Sequence, residues 1–542
     1  MQFSNRAEMI EWLRPQVVVM AKDRLITAAD GSNLSWLINS RDLFGSREGL
    51  DFMAQEFWKR FADDEVRQIA TPETAGIPLV AAIVMTTPAG REAPTGIMVR
   101  KTRKKTGMGR ALEGPFRPVP TIMIDDIINS GGSLMRAAAK VEAEGGTIQA
   151  AFALCDFQAP TSASWRTTRN LRVESVVHPS DFGLGLPKGS ASTVAMFDVV
   201  WQHHPGTGDP FHGVPKSAPA FDGARIFSGT DTGLMRAVDA TTGKQLWAFD
   251  AQTGGNRKGI WSAPAVHEGR VHFGAYNGNA YCLDAVSGEL VWKSSCCDFI
   301  GASPAVIPKH DLVLYGLEFA QARAKGAIAA LSLTDGAVVW KHGNSRLQHG
   351  SAAYSATLDR IYWGTADYDL VCIEPVSGEI EWRFQTERSI KYAPAIDEER
   401  GLIAVGSFDH YVYVLDARTG AEKGRFKTDD IVYTTPLFAN GKLYFGSADK
   451  KVYMVDLETM QVEATAHTEG RVFASPVAYK DMIIVGATSG LLGLDPSTLK
   501  RKAAWIAPDG VSNAPVKVDD DLVVLTVKND LYRVKLGEWV AQ

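Results

Sequence analysis

Two adjacent carboxylates, Asp125 and Asp126, follow an apolar run in the stretch PTIMIDDIINSGGSL at residues 120–134. Such a pair can accept hydrogen bonds from two vicinal sugar hydroxyls and stabilise the positive charge that develops when a leaving group departs. Directly afterwards, Gly131 and Gly132 let backbone N–H groups approach a phosphate, at the start of a segment with helical spacing. The stretch therefore predicts a phosphate site beside two carboxylates. The alternative interpretation is an Asp-rich turn that only caps a helix.

A strongly basic segment precedes the two acids, in the stretch VRKTRKKTGMGRALEG at residues 99–114. A charge run on its own is more typical of a solvated face. Because this one lies one predicted strand before the acids, it indicates a basic loop that can bind phosphate. Its cationic residues are Arg100, Lys101, Arg103, Lys104 and Lys105.

The first part of the chain, to about residue 190, alternates segments of helical spacing with short apolar runs typical of buried strands. This pattern predicts an α/β domain with a largely parallel sheet. Ligands of such sheets bind beyond the carboxyl ends of the strands, which is where we expect a loop carrying the two aspartates.

These stretches resemble the phosphoribosyl diphosphate (PRPP) motif of type I phosphoribosyltransferases, and in particular the orotate phosphoribosyltransferase branch. The strand, acid pair and Gly/Ser loop carry the resemblance, together with the basic segment, PETAGIPLVAAI at residues 72–83 and LITAADGSNLSWLINSR at residues 25–41. The resemblance implies an N-terminal type I phosphoribosyltransferase fold, PRPP as co-substrate and Mg²⁺ as cofactor. Family members often work as dimers, so a homodimer is among the expected assemblies.

The resemblance also implies roles for individual residues. The catalytic residues would be Asp125, Asp126 and Lys101, with the two aspartates also contacting the metal indirectly. The residues that would bind PRPP are Ala75, Gly76, Arg100, Lys104, Asn129, Ser130, Gly131, Gly132 and Ser133.

Departures from the orotate branch concentrate on the acceptor side of the site. Phe157 follows Asp156 where the branch has an arginine that holds the orotate carboxylate, and Ala28, Thr106 and Asn129 also replace the branch's usual residues. Without its bidentate partner a bound carboxylate would be left unpaired, at a cost of several kcal/mol. We therefore expect an acceptor other than orotate. The residues that would line its pocket are Trp36, Phe157 and Asn129.

After about residue 215 the chain repeats with a period of roughly 40 residues, as propeller blades do. Each unit opens with S-x-P-A and contains a T/S-G turn, and in many units a tryptophan follows this turn. In the one unit that lacks the opening proline, we assign Ala353 to the proline position. We predict eight blades, with residues 194–204 as the outer strand of the last blade, because an open ring would leave an exposed strand edge. The predicted domains are thus residues 1–190 and 191–542. The opening prolines are Pro219, Pro264, Pro304, Pro394, Pro436, Pro476 and Pro515.

The repeat resembles the PQQ-type propeller family, in which the glycine permits the turn and the tryptophan packs between blades. Members that bind the quinone hold calcium with carboxylate and amide ligands, and some place adjacent cysteines over the cofactor. Cys296 and Cys297 resemble that pair only faintly, so PQQ is not expected here. The propeller is expected to be a binding or scaffolding ring, with a protein partner among its ligands.

Bulk composition excludes several classes of protein. A formal net charge of −5 argues against a general nucleic-acid or membrane-surface binder, and no apolar run approaches the length of a membrane span. The five cysteines show no metal-site spacing and, as an odd number, do not suggest a disulfide framework. The N-terminal stretch has no apolar core of a signal peptide, and we predict a cytoplasmic protein.

The leading hypothesis is transfer of the 5-phosphoribosyl group from PRPP to a non-orotate acceptor, such as an amine or hydroxyl of a specialised metabolite, with release of diphosphate. A second hypothesis is a non-catalytic sensor of PRPP or a nucleotide whose propeller binds a protein partner. A third makes the propeller the enzyme, as a quinoprotein dehydrogenase.

Overall fold

The computed structural model describes residues 3–21, 35–100, 111–129, 131–158, 165–166, 169–184, 195–205, 218–251, 259–320 and 325–537, and the backbone at 26–27 and 33–34. The chain divides into two compact units. Unit 1 comprises residues 1–196 and 506–508, and unit 2 comprises residues 197–505 and 509–542. In the described part of the chain, no helix is both long and apolar enough to span a membrane.

Unit 1 alternates helices and strands, as the sequence pattern predicts. The helices described are α1 Arg6–Val17, α2 Arg41–Phe44, α3 Arg47–Arg60, α4 Ile77–Met85 and α5 Gly132–Ala143, with a 3₁₀ turn at Pro179–Phe182. The strands described are β1 Val18–Met20, β2 Ile26–Thr27, β3 Asn33–Leu34, β4 Trp36–Ile38, β5 Gln68–Pro72, β6 Thr95–Val99, β7 Leu112–Glu113, β8 Pro120–Ile128, β9 Thr147–Asp156 and β10 Arg172–Val177.

The main sheet of unit 1 has the order β10-β9-β8-β5-β6-β7 and is parallel except for β7, which pairs antiparallel with β6. Successive strand residues point to opposite faces, so each face has its own core. Ile122 and Ile124 pack with Phe57 and Phe152 on one face, and Met123 packs with residues of α5 on the other. Two antiparallel pairs, β1 with β4 and β2 with β3, stand apart from this sheet.

The strand β11 Ala195–His203 is followed by the repeating strands of unit 2. In chain order these are β12 Ala220–Phe221, β13 Arg225–Gly229, β14 Leu234–Asp239, β15 Gln245–Asp250; β16 Ala265–His267, β17 Arg270–Gly274, β18 Asn279–Asp284, β19 Leu290–Ser295; β20 Ala305–Ile307, β21 Leu312–Phe319, β22 Lys325–Ser332, β23 Val338–Asn344; β24 Ala352–Ser355, β25 Arg360–Gly364, β26 Asp369–Ile373, β27 Ile380–Gln385; β28 Ala395–Asp397, β29 Leu402–Gly406, β30 Tyr411–Asp416, β31 Glu422–Lys427; β32 Leu437–Ala439, β33 Lys442–Gly446, β34 Lys451–Asp456, β35 Gln461–His467; β36 Val477–Tyr479, β37 Met482–Ala487, β38 Gly490–Leu494, β39 Arg501–Trp505; and β40 Val516–Val518, β41 Asp521–Leu525, β42 Leu531–Leu536.

These strands form the antiparallel blades of a β-propeller. Seven blades take four consecutive strands each, and β40 to β42 are completed by β11, which pairs antiparallel with β42. β11 also neighbours β39, so the seventh and eighth blades share one sheet. The first strand of the first blade, β12, contacts the first strand of the second blade, β16, and the first strand of the eighth blade, β40. These contacts close the ring.

The Gly–Trp stripe of the repeat holds neighbouring blades together. Each turn glycine has a positive φ, and an added Cβ would lie within 3 Å of the indole of the blade before it, so only glycine fits. The indole N–H of Trp247, for example, donates to the carbonyl of Ala285 in the next blade at 3.1 Å. The stripe is therefore structural, as the sequence predicts. The pairs are Gly243 with Trp201, Gly288 with Trp247, Gly336 with Trp292, Gly378 with Trp340 and Gly420 with Trp382.

One assignment of the repeat is wrong by one residue. The backbone N–H before an opening proline donates to the serine hydroxyl at the same place in the next blade: Ala263 to Ser303, and Ser303 to Ser351. Ser351 thus corresponds to the residue before proline, and the missing proline slot is Ala352. The prediction of Ala353 for this slot is therefore wrong by one residue, because the spacing of that unit is irregular.

Candidate functional site

The two aspartates lie inside β8 rather than in a loop beyond it, because this strand continues to Ile128. Asp125 is 7% exposed and pairs in register with Ala153 of β9, while Asp126 is half-buried. The Asp126 N–H donates to Asp125 Oδ1 at 2.9 Å, and Asp126 Oδ2 accepts from Ser40 Oγ at 2.5 Å. The hydrogen bond from the Asp126 N–H keeps the two carboxyl groups close together near the end of β8.

The Gly/Ser segment forms a tight turn from β8 into α5. Gly131 has φ +80°, a left-handed conformation that strains other residues, and its carbonyl accepts from the N–H of Met135 at 2.9 Å. Asn129 and Ser133 are exposed, and Gly132 begins the helix. The structure thus places a helix N-terminus directly after the acidic strand, although Ser130 lies outside the described residues.

The loop at residues 73–76 lies at the same edge of the sheet. It follows β5, which pairs parallel with β8 in the register Ala70 to Met123, and it leads into α4. A Cβ on Gly76 would lie 2.1 Å from Thr71 Oγ1 and 3.5 Å from the carbonyl of Ile124, so this glycine is required by packing inside the sheet edge. Ala75 beside it is half-buried, and the peptide bond Glu73–Thr74 is cis.

The basic segment is described only at its two ends. Lys101, Lys104 and Thr106 lie outside the described residues. The N–H of Arg100 donates to the carbonyl of Ala111 at 2.9 Å, so both ends of the segment are held side by side. The Arg100 guanidinium pairs with Glu113 Oε1 at 2.6 Å, and Lys140 Nζ donates to the Arg100 carbonyl at 2.8 Å.

Two of the predicted acceptor residues meet. The rings of Trp36 and Phe157 stack with centroids 5.9 Å apart and an interplanar angle of 20°. The Phe157 N–H donates to the carbonyl of Ile128 at 2.9 Å, which brings this pair to the end of β8 next to Asn129. Ala28 lies outside the described residues.

Arg166 is a neighbour of the candidate site that the sequence alone does not reveal. The chain lacks an arginine directly after Asp156, but the Arg166 guanidinium binds Asp156 Oδ2 at 2.7 Å from ten residues further on. Asp156 is 2% exposed, and its Oδ1 accepts from the N–H of Gln158 at 2.9 Å. No spacing rule links two residues ten positions apart in this way, so only the folded chain shows the pair.

The cysteines are free thiols in the described structure. Cys155 is fully buried in the core, and burial raises the pKa of its thiol to about 12. The hydrogen bond with Cys296 and burial raise the pKa of Cys297, whose Sγ lies 3.1 Å from the carbonyl of Phe299. The described residues contain no group of three or more His, Cys, Asp or Glu side chains arranged to hold a metal ion.

Comparison with known proteins identifies the propeller. A family model described as "Outer membrane protein assembly factor BamB" matches residues 190–317 and 324–537. The chain belongs to this family. The BamB structure from Moraxella catarrhalis superposes with a TM-score of 0.51 at 14% identity, over 64% of this chain and 99% of that chain, which supports the shared fold alone.

Relatives of this BamB-type chain include enzymes of two classes. The dehydrogenase subunit of the quinone alcohol dehydrogenase of Gluconacetobacter polyoxogenes is 22% identical over 312 residues, 42% of each protein. The chain thus spans less than half of that relative. The orotate phosphoribosyltransferase of Methanopyrus kandleri is 27% identical over 177 residues, which cover 33% of this chain and 91% of that enzyme.

Proposed function

We propose that unit 1 transfers the 5-phosphoribosyl group of PRPP to an acceptor other than orotate and releases diphosphate. The observation that carries this proposal is the convergence at one edge of the sheet. The loop at residues 73–76, the Asp125–Asp126 pair and the left-handed turn at Gly131 follow or end the adjacent parallel strands β5 and β8. Partial similarity to an orotate phosphoribosyltransferase supports the same chemistry.

In the proposed reaction, the bond between C1 of the ribose and the diphosphate oxygen breaks, and a nitrogen or oxygen of the acceptor bonds to C1 and loses its proton. Asp125 and Asp126 bind the ribose hydroxyls and stabilise the positive charge at C1. The turn into α5, at residues 129–133, binds the 5-phosphate through backbone N–H groups. Residues 75–76, Arg100, Lys101 and Lys104 bind the diphosphate, which requires Arg100 to leave Glu113.

Mg²⁺ is proposed to enter with PRPP, whose diphosphate offers it oxygen ligands. The two aspartates would contact it indirectly, and its chemistry there is to neutralise the diphosphate. The stacked rings of Trp36 and Phe157 offer the acceptor a flat apolar surface next to Asn129. An acceptor that stacks on these rings fits this surface better than one that relies on a carboxylate.

The test is diphosphate release from PRPP and Mg²⁺ in the presence of a metabolite extract. We expect release that depends on the extract and falls at least about 100-fold in the double variant Asp125→Asn, Asp126→Asn, because the charge at C1 is then uncompensated. Asp63→Asn, at an exposed position, is the matched control and should keep full activity. Unchanged release by the double variant would refute the proposal.

A second candidate is a sensor that binds PRPP or a nucleotide without turnover and passes the signal to a partner of the propeller. It is favoured by two contacts: Asp126 already accepts from Ser40, and Arg100 already pairs with Glu113. Saturable PRPP binding by calorimetry, with no diphosphate release in any extract fraction, would select this candidate. Dye-linked alcohol oxidation after addition of calcium and PQQ would instead support a quinoprotein dehydrogenase, as the quinone-dependent relatives suggest.

A further inference from the structure

The hydroxyl of Ser40 does not take the role that serine usually has at the start of a helix. Ser40 is the N-cap of α2, but its side chain makes no hydrogen bond to the N–H groups of this helix, and the Arg41 N–H donates to Asn39 Oδ1 at 3.2 Å instead. A serine at this position usually accepts a hydrogen bond from the first helical turn. Ser46, the N-cap of α3, does so, because its Oγ accepts from the Gly49 N–H at 3.0 Å. Two serines at equivalent positions therefore have different partners.

The partner of Ser40 is a carboxylate of the candidate site. Ser40 Oγ donates to Asp126 Oδ2 at 2.5 Å, although the two residues are far apart in the sequence. Ser40 is 2% exposed, whereas Asp126 is half-buried. A hydrogen bond of this length from a hydroxyl to a carboxylate is in the range of the stronger, charge-assisted bonds. The contact thus fixes one oxygen of Asp126 to the start of α2.

The backbone around Ser40 is itself held in place. The Asn39 N–H donates to the carbonyl of Val17 at 2.7 Å, and the Ser40 carbonyl accepts from the Phe44 N–H at 2.9 Å. Phe44 is buried in the same core as Ile124 of β8. Because the backbone is fixed on both sides of Ser40, its hydroxyl is a rigid anchor that the carboxylate must adjust to.

This anchor leaves the second oxygen of Asp126 for a ligand. Among the residues that the structure describes, none donates a hydrogen bond to Asp126 Oδ1. The last torsion of an aspartate side chain has broad minima, so a carboxylate without an anchor turns easily. We propose that Ser40 is a positioning residue, which holds Asp126 so that Oδ1 accepts a hydrogen bond from a ribose hydroxyl of PRPP. This inference rests on the function proposed for unit 1, since it takes that ribose as the ligand of Asp126.

The segment that carries Ser40 also carries part of the predicted acceptor surface. Trp36 lies in β4, just before Ser40, and stacks on Phe157. The position of Trp36 is fixed by the pairing of β4 with β1 and does not depend on the Ser40 hydroxyl. Removal of that hydroxyl should therefore affect the contact with the ribose and leave the acceptor surface unchanged.

Calorimetric titration of the full chain with PRPP and with inorganic diphosphate, both with Mg²⁺, tests this role. Ser40→Ala should weaken PRPP binding about fivefold and change diphosphate binding less than about twofold, because only PRPP brings ribose hydroxyls to Asp126. General damage to the fold would weaken the binding of both ligands. Ser46→Ala is the matched control, since it removes a serine from the N-cap of α3, and it should change neither affinity more than about twofold.

A double-mutant cycle tests whether Ser40 acts through Asp126. Asp126→Ala should weaken PRPP binding about tenfold and not abolish it, because the contacts to the phosphates remain. In that background Ser40→Ala should cause no further loss of PRPP affinity. A further loss of about fivefold there would overturn the inference. Unchanged PRPP affinity in Ser40→Ala alone, or equal weakening of PRPP and diphosphate binding, would overturn it as well.

These measurements separate the role of Ser40 from the reaction proposed for unit 1. If the expected binding pattern is found but the unaltered protein releases no diphosphate, the reaction is refuted and the role of Ser40 is supported. If diphosphate release depends on Asp125 and Asp126 but PRPP binding is insensitive to Ser40→Ala, the reaction stands and the role of Ser40 is refuted. Absence of saturable PRPP binding by the unaltered protein would refute both.

Discussion

At the scale of single residues, the candidate site of unit 1 combines side chains that the sequence groups together with one that it does not. The pair Asp125 and Asp126 can be recognised from the sequence alone, and so can Phe157 at the position where the resembling enzymes have an arginine. Arg166 occupies the neighbourhood of Asp156 without any sequence signal. Because its guanidinium is bound to a buried carboxylate, the role that the structure shows for Arg166 is to stabilise the fold.

The Asp156–Arg166 pair gives a prediction about stability. The substitution Arg166→Met leaves the Asp156 carboxylate, which is 2% exposed, with only a backbone hydrogen-bond donor. We expect the free energy of unfolding to fall by about 2 kcal/mol. This loss is smaller than the range for fully buried ion pairs because Arg166 is partly exposed. Adding Asp156→Asn should recover part of this loss. Urea denaturation measures both, with Arg67→Met as the control, whose exposed pair with Glu65 should cost under about 0.5 kcal/mol. Equal losses in Arg166→Met and Arg67→Met would contradict the argument.

At the scale of secondary-structure elements, period and spacing predict the strands and blades well and their limits less well. The helix at Arg47–Arg60 and the turn glycines follow from local patterns. The end of β8 cannot be predicted from local patterns, because aspartate is a poor strand residue. Pairing with β9 keeps Asp125 and Asp126 extended. Ala353 was assigned wrongly because a slot without its proline can be aligned only through hydrogen bonds between blades.

The Gly–Trp stripe allows the free-energy cost of a packing clash to be measured separately from the cost of backbone strain. Gly288 and Gly269 have φ values of +74° and +72°, but an added Cβ meets the Trp247 indole at 2.6 Å in the first case and nothing within 4 Å in the second. Gly269→Ala should cost about 1 kcal/mol from the left-handed backbone alone. Gly288→Ala should cost a further 1–3 kcal/mol or so, since the indole must move. Thermal unfolding of the two variants measures the difference, and equal costs would show that the indole contact contributes nothing.

At the scale of the whole molecule, the ring of unit 2 is completed by a strand that precedes it in sequence. Strand β11 fills the outer place of the last blade through its pairing with β42, and it also carries the tryptophan of the stripe. Trp201 is 9% exposed, packs on Gly243 of the first blade and donates to the carbonyl of Ala240 at 2.9 Å. A single strand therefore supplies both the edge pairing and the contact between the last and first blades.

Closure by β11 distinguishes Trp201 from the other tryptophans of the stripe. Trp201→Ala and Trp292→Ala each remove a buried indole and its hydrogen bond, and each should cost about 3–5 kcal/mol. Only Trp201→Ala should also loosen β11 from β42, and the uncovered edge would then pair with other copies. Sedimentation velocity over a concentration series should show association in Trp201→Ala and a single species in Trp292→Ala, and limited proteolysis should cut first near β11. If the two variants associate to the same extent, the ring is held by the tryptophan contacts alone and the closing strand adds no protection of its own.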